Sequence, residues 1–210
     1  MIRALLADDH RLVREGLKQL LSEAPGIVVA AEASNSHEVM EKVRTEEIDV
    51  VLLDISMPGR SGLEVLKELK QIRPNLPVLM VTMYPEKEYA VRALKTGAAG
   101  YLTKSCAPDE LITAVRRVTS GGRYVSPSVA EVLAVELQEG VEKPRHDLLS
   151  NRELQVMLMI ARGKTVGEIA VDICLSAKTV STYRARILEK LRLSNNAEIT
   201  RYAMKEGLVE

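Results

Sequence analysis

Five side chains in the first half of the chain have the types needed to move a phosphoryl group: Asp8, Asp9, Asp54, Thr82 and Lys104. Each stands at or just past the end of a short apolar run. Asp8 and Asp9 follow Ile2 to Ala7, Asp54 ends "DVVLLD", Thr82 follows Val78 to Val81, and Lys104 follows Ala98 to Leu102. Three carboxylates within a few ångströms repel one another unless a cation sits among them, and oxygen-only ligands of this kind suit Mg²⁺. A lysine and a hydroxyl add what a transferred phosphoryl group requires, positive charge and a donor for its equatorial oxygens. The chemistry that fits is attack by one carboxylate on phosphorus to give an aspartyl phosphate. Asp54, alone at its strand end, is the candidate nucleophile. Taken singly, each acid reads equally well as a turn former or a complement to a helix dipole. Only their arrival together at one edge would make a site.

A parallel sheet makes that delivery. Five apolar runs (Ile2 to Ala7, Ile27 to Ala33, Val50 to Leu53, Val78 to Val81, Ala98 to Leu102) alternate with helix-period stretches such as "RLVREGLKQLLSE" and "SGLEVLKELKQIR". Strands too apolar to have a wet face, each followed by a helix, predict an α/β fold. Its core is a doubly wound five-stranded parallel sheet covered on both sides. Ligands of such sheets bind outside the carboxyl ends of the strands. Ser61 is placed to cap the helix opening at Gly62, and Pro74 and Pro77 close it before the next strand.

After Gly121-Gly122 the pattern changes. Ser128 to Glu139 reads as one more helix, and "GVEKPRHD", Gly140 to Asp147, as a connector. From Ser150 on there are only helical patterns, over Arg152 to Ala161, Val166 to Ile173, Lys178 to Leu191 and Ala197 to Lys205. The expected division is therefore a domain over 1–122, a linker helix and connector over 123–147, and a small all-α domain over 148–210.

The second and third of those four helices, joined tightly around Cys174 to Ala177, suggest a helix-turn-helix whose second helix enters the major groove of DNA. On a helical wheel Val180, Tyr183, Ile187, Leu188 and Leu191 share one side, and Lys178, Ser181, Thr182, Ala185 and Glu189 the other. Ser181, Thr182 and Ala185 are small enough to let the backbone approach base edges. Lys178, Arg186, Thr179 and Tyr183 suit phosphates, which position without specifying. Arg184 falls on the apolar side, where an acid such as Glu153 could pair with it.

Charge agrees in sign. Lys plus Arg against Asp plus Glu gives 18 minus 21, or −3, over 1–144 and 11 minus 8, or +3, over 145–210. Cys106 and Cys174 have no metal or disulfide spacing and read as small buried hydrophobes. His10, His37 and His146 are scattered and read as solvent-facing. No apolar run approaches the roughly 20 residues of a membrane span or the pattern of a signal peptide, which points to a soluble, cytoplasmic protein.

The stretches "LLADDH", "DVVLLDISMPGRSGLEVL", "VLMVTMY" and "GAAGYLTKS", with the helical tail, resemble two-component response regulators of the NarL/FixJ family, a flavodoxin-like receiver followed by a LuxR-type helix-turn-helix. The resemblance implies that Asp54 accepts a phosphoryl group from a sensor histidine kinase. It implies that Asp9 and Asp54 ligate Mg²⁺ with the Ser56 carbonyl, and that Asp8 acts largely through water. Thr82 and Lys104 would bind the phosphoryl oxygens, and Tyr101 would move as Thr82 swings towards the phosphate. Ser56 and Tyr84 would tune the lifetime of the phosphate, and promoter DNA would be read by a homodimer paired through the closing helix. The chain departs from the family pattern in three places: Ser105 where many receivers have a cis proline, Ser61 where Asp is frequent, and Tyr183 where His is usual. Two rivals differ in class. One is an Asp-nucleophile phosphohydrolase, although such enzymes place a second acid where Ser56 stands. The other is a receiver fold kept for binding alone, against which the presence of all five side chains counts.

Overall fold

The computed structural model describes residues 1–136 and 144–209. Strands β1 (Ile2–Ala7), β2 (Ile27–Ala33), β3 (Val50–Leu53), β4 (Val78–Thr82) and β5 (Gly100–Thr103) form one sheet in the order β2-β1-β3-β4-β5, with every pairing parallel. Every residue of β3 and β4 is buried, which is why those segments show no polar alternation. The fifth strand starts two residues later than the apolar run suggests. The Ala98 amide is still closing the preceding helix, on the Ala93 carbonyl, and pairing with β4 begins at Ala99.

Five helices join or follow the strands: α1 (Arg11–Ser22), α2 (Ser36–Thr45), α3 (Gly62–Ile72), α4 (Glu86–Thr96) and α5 (Pro108–Thr119). Alternate strand residues, among them Ala4, Leu6, Val50, Leu52, Leu79, Val81 and Leu102, pack with Leu21 of α1 and with Leu111, Ala114, Val115 and Val118 of α5. The period of two sends their neighbours Leu5, Ala7, Val51, Leu53 and Met80 to the other face. There α2 meets β1 and β2, α4 meets β5, and α3 lies between α2 and α4. The doubly wound expectation holds. Strand order reverses between β1 and β3, so the loops carrying Asp8, Asp9 and Asp54 open at the switch point.

Two local features shape the loop beyond β3. Ser61 and Glu64 form a reciprocal capping box at the start of α3. Gly62 passes so close to the Asp54 carbonyl that a Cβ there would lie 1.9 Å from the oxygen. Its amide donates to the Ile55 carbonyl at 2.8 Å, folding the loop back over Asp54.

A sixth helix, α6 (Pro127–Glu136), packs on α4, and Ser126 donates to Glu86 at the start of α4 at 2.7 Å. The first compact unit thus runs over Met1–Leu137 and the second over Gln138–Glu210. The first extends past the residue 122 boundary suggested by the glycine pair. Of the expected helix to Glu139 and the expected connector, residues 137–143 lie outside the described residues. No described helix is long and apolar enough to cross a membrane.

The second unit opens with a 3-10 turn (Arg145–Leu148), followed by α7 (Asn151–Ala161), α8 (Val166–Asp172), α9 (Ala177–Leu191) and α10 (Asn196–Lys205). Helix α7 contacts the other three, and α8 contacts α9. Each helix start carries its own side-chain cap: Ser150, Thr165, Ser176 and Asn195. The turn between α8 and α9 places Cys174 at φ +52°. Its side chain is exposed, against the buried reading of that cysteine, because the left-handed turn residue projects away from the helices. Cys106 is half-buried against the core of the sheet domain, nearer to expectation.

Two glycines give opposite predictions. Gly62→Ala forces a backbone shift beside Asp54 and is expected to cost about 1–3 kcal/mol. Gly16→Ala, inside α1 with open space around it, is expected to gain roughly 0.5–1 kcal/mol. Urea unfolding of the full chain, followed by tyrosine fluorescence, measures both.

Candidate functional site

The carboxyl ends of β1, β3, β4 and β5 bring the five residues together. The Lys104 Nζ lies 2.7 Å from Asp8 Oδ2 and 2.8 Å from Asp54 Oδ2, and all three side chains are 3–4% exposed. Asp54 Oδ1 accepts the Ile55 amide at 2.7 Å, and Asp8 Oδ1 accepts the His10 amide at 2.9 Å. The backbone ladder fixes these positions: the Asp54 amide donates to the Ala7 carbonyl, and the Lys104 amide to the Thr82 carbonyl. One atom from each of Asp8, Asp9, His10 and Asp54 falls within 4.8 Å of the others.

Electrostatics set what this cluster can hold. Burial raises the Asp54 carboxyl above its ordinary pKa, the Lys104 ammonium opposes that shift, and the charge of Asp8 reinforces it. Burial alone would lower the Lys104 pKa, but the charges and hydrogen bonds of Asp54 and Asp8 outweigh it and the net direction is upward. Lysine therefore stays an ammonium. Three carboxylates against one ammonium leave an excess of negative charge that a divalent cation would offset. Three buried atoms agree. Asp8 Oδ2 rests against the Lys104 ammonium, Asp9 Oδ1 against the His10 ring and the Thr82 hydroxyl against Asp54, each with its hydrogen bond poorly aligned. Carboxylate oxygens left poorly paired are what a cation would satisfy, and a buried hydroxyl is what an incoming anion would use.

Arg14 and the placement of His10 escaped the sequence reading. Arg14 donates to the Asp8 carbonyl at 2.7 Å and pairs with Glu32 of β2, pinning the acid loop from behind. Its signal was an isolated acid within an otherwise apolar strand. His10, read as scattered, stands beside the acids, with Nδ1 2.9 Å from Asp9 Oδ1. Ser56 and Tyr84 share a hydrogen bond of 3.0 Å between their hydroxyls. Tyr101 is buried, and its hydroxyl donates to the Tyr84 carbonyl at 2.9 Å. The peptide after Lys104, at Ser105, is trans.

In the second unit, α9 presents the surface expected of it. Lys178, Ser181, Thr182, Ala185, Arg186 and Glu189 are exposed, and Val180, Ile187 and Leu191 are buried. Thr179 and Tyr183 are half-buried, with the Thr179 hydroxyl on the Ser176 cap. Arg184 does not pair with Glu153. It donates to Asn196 at the start of α10 at 2.5 Å, and Glu153 instead takes Lys190 at 2.6 Å, one residue from the end of α9. His146 is half-buried and hydrogen-bonded to the Tyr202 hydroxyl, unlike the solvent-facing reading, whereas His37 is exposed.

Residues 4–116 match the response regulator receiver domain, and residues 147–203 match the bacterial regulatory proteins of the luxR family. The chain is 42% identical to the response regulator GacA of Pseudomonas viridiflava, over all of this chain and 99% of that one. It is 41% identical to the response regulator UvrY of Escherichia coli, over 99% of this chain and 96% of the relative. Among solved structures, a chain from the structure of two RcsB dimers bound to two parallel DNAs superposes with a TM-score of 0.60 at 26% identity, covering 97% of this chain and 98% of that one. A parallel sheet with an acid and lysine edge, an exposed helix-turn-helix face and relatives matched end to end agree, and the chain belongs to the response regulators that join a receiver domain to a LuxR-type DNA-binding domain and regulate transcription.

Proposed function

We propose that Asp54 is the residue at which this response regulator takes up its signal, as an aspartyl phosphate, from the phosphohistidine of a sensor histidine kinase. The observation that carries this is the placement of Asp54. It is a buried strand-end carboxylate held by Lys104, with the buried Thr82 hydroxyl beside it. An Asp54 oxygen forms a bond to phosphorus as the bond between phosphorus and the kinase imidazole breaks, and the imidazole leaves. The Ile55 amide on Oδ1 holds the carboxylate in one orientation, so little reorganisation precedes attack.

Asp9, Asp54 and the Ser56 carbonyl are the groups we assign to Mg²⁺, with Asp8 behind them through water. The donors fit a hard cation, being oxygens with excess negative charge. When bound, the ion supplies positive charge between the carboxylates and the incoming phosphoryl oxygens. Lys104 then exchanges Asp8 for a phosphoryl oxygen, and Thr82 donates its hydroxyl to another. Phosphorylation adds roughly −1.5 to −2 charge, and Tyr101, tied to the Tyr84 carbonyl, follows the movement of the strand-end loop. The second acid of an Asp-nucleophile phosphohydrolase has no counterpart here, and Ser56 is bonded to Tyr84 instead.

The output is DNA binding through α9. Ser181, Thr182 and Ala185 face base edges, and Lys178, Thr179, Tyr183 and Arg186 face phosphates. We propose a homodimer on promoter DNA, paired through α10, reading half-sites about one helical turn apart. The RcsB structure described as dimers on DNA supports that arrangement. The cytoplasm, where sensor kinase and promoter are both reached, is the proposed location.

Incubation with acetyl phosphate and Mg²⁺, followed by intact-mass measurement, is expected to give one phosphoryl adduct on the native chain and none on Asp54→Asn. Steady release of phosphate with no adduct would indicate a phosphohydrolase, and neither signal would leave a binding module. For the output, affinity for promoter DNA is expected to fall steeply with salt. Arg186→Ala should lower that salt slope by about one, and Ser181→Ala should cost about 1–3 kcal/mol on specific sequence only.

A further inference from the structure

The DNA contacts proposed for α9 are lopsided. At about 100° per residue, Arg186, Thr179 and Tyr183 lie roughly 90–155° to one side of the direction shared by Ser181, Thr182 and Ala185. Lys178 lies close to that direction itself. Arg184 lies about 105° to the other side and takes no part in those contacts. An α-helix with its side chains is about 10–12 Å across, and the major groove is about 12 Å wide. A helix that fills the groove has a row of phosphates along each flank, so the proposed contacts leave one groove wall without a cation.

The turn after α9 fixes Arg184. Arg192 is left-handed at φ +56°, its amide donates to the Glu189 carbonyl at 3.1 Å, and the Leu193 amide donates to the Leu188 carbonyl at 2.8 Å. This Schellman pattern reverses the chain at once, and α10 starts at Asn196. Asn196 thereby returns beside Arg184, and its Oδ1 accepts the Nε hydrogen at 2.5 Å. A guanidinium carries five N–H groups in one plane. The bond at Nε sets that plane, while the Nη groups make no hydrogen bond or ion pair among the described residues. Glu198, the acid of the α10 start, takes the Ser194 amide at 2.7 Å and not the guanidinium. Arg184 is half-buried along its stem and Asn196 is exposed, so the oriented fork stands at the surface.

We propose that Arg184, oriented by Asn196, binds a DNA phosphate on the groove wall opposite Arg186. The proposal rests on the reading of α9 as the recognition helix and extends it by one contact and one positioning residue. Arginine suits the task because its planar N–H pairs match two phosphate oxygens. Asn196 does not touch the DNA. It narrows the orientations of the guanidinium before binding, which reduces the ordering cost of the contact. Asn196 belongs to α10, the helix proposed to pair two copies, so the contact links the geometry of the dimer to the seating of α9 in the groove. The competing role is a tie between α9 and α10 that makes no DNA contact.

Fluorescence anisotropy of the full chain on two labelled duplexes separates these roles, one duplex selected by the native chain from a randomised pool and one of unrelated sequence. Titrations at several salt concentrations give the affinity and its salt slope, and circular dichroism gives the Tm of each variant. Arg184→Gln is expected to lower the salt slope by about one and to weaken both duplexes alike, by about fivefold. Arg184→Lys keeps the charge and should keep the native slope. Asn196→Ala should also keep the slope and lose about threefold in affinity. A native slope in Arg184→Gln would overturn the phosphate contact. Equal losses for Arg184→Gln and Asn196→Ala with a lower Tm and an unchanged slope would overturn it in favour of the tie. Phosphate ethylation interference with the native chain needs no variant. Blocked phosphates are expected on both walls of the groove at each half-site, and blockage on the Arg186 wall alone would overturn the proposal. A native chain that selects no sequence and binds neither duplex would overturn the reading of α9 beneath it as well.

Discussion

One ammonium between two carboxylates organises this receiver. Lys104 reaches back from the end of β5 to touch Asp8 beyond β1 and Asp54 beyond β3, so the edge strand is tied across β4 to the neighbouring pair β1 and β3 by a single cation. In a site with side chains 3–4% exposed, unscreened charge is expensive, and removing one partner of such a group typically costs about 3–5 kcal/mol. The cluster is nonetheless left incomplete, because one positive charge faces three negative ones. That imbalance is a structural fact with a functional consequence. The edge keeps its shape, and its excess negative charge suits it to hold a divalent cation.

The remaining elements follow from this constraint. The order β2-β1-β3-β4-β5 is what brings the loops of β1 and β3 side by side, and the fully buried β3 and β4 hold the acid and the hydroxyl at fixed heights. Gly62 lets the loop after β3 fold against the Asp54 backbone, and Arg14 holds the Asp8 carbonyl from the opposite side. The network continues outward through hydroxyls: Ser56 to Tyr84, Tyr101 to the Tyr84 carbonyl, and Ser126 to Glu86 where α6 lies on α4. A two-state switch needs a difference of only a few kcal/mol between packings. Hydrogen bonds of about 1 kcal/mol each are of the right size for that.

Much of this was legible in the chain because it rests on periodicity. The five apolar runs became the five strands, and Ser61 became the cap it was placed to be. The wheel of α9 separated Val180, Ile187 and Leu191 from Ser181, Thr182 and Ala185 as the burial does. What stayed hidden depends on contacts between elements. Arg184 looked like a partner for Glu153, but the start of α10 offers it Asn196, and Lys190 lies nearer to the acid. Cys174 looked like a core residue by type and lies on a left-handed turn that only the closing of α8 onto α9 creates. Arg14 carries no pattern of its own, and its relation to the acid loop appears only when β1 and α1 are set in space.

The most direct test of the central arrangement is a crystal structure of the full chain with Mg²⁺ and beryllofluoride, a stable mimic of the phosphoryl group. The account predicts beryllium bonded to an Asp54 carboxylate oxygen, Lys104 Nζ moved from Asp8 onto a fluorine, and the Thr82 hydroxyl donating to a second fluorine. Beryllofluoride seated on another carboxylate, or Lys104 still bridging Asp8 and Asp54 with the Thr82 hydroxyl away from the fluorines, would contradict it.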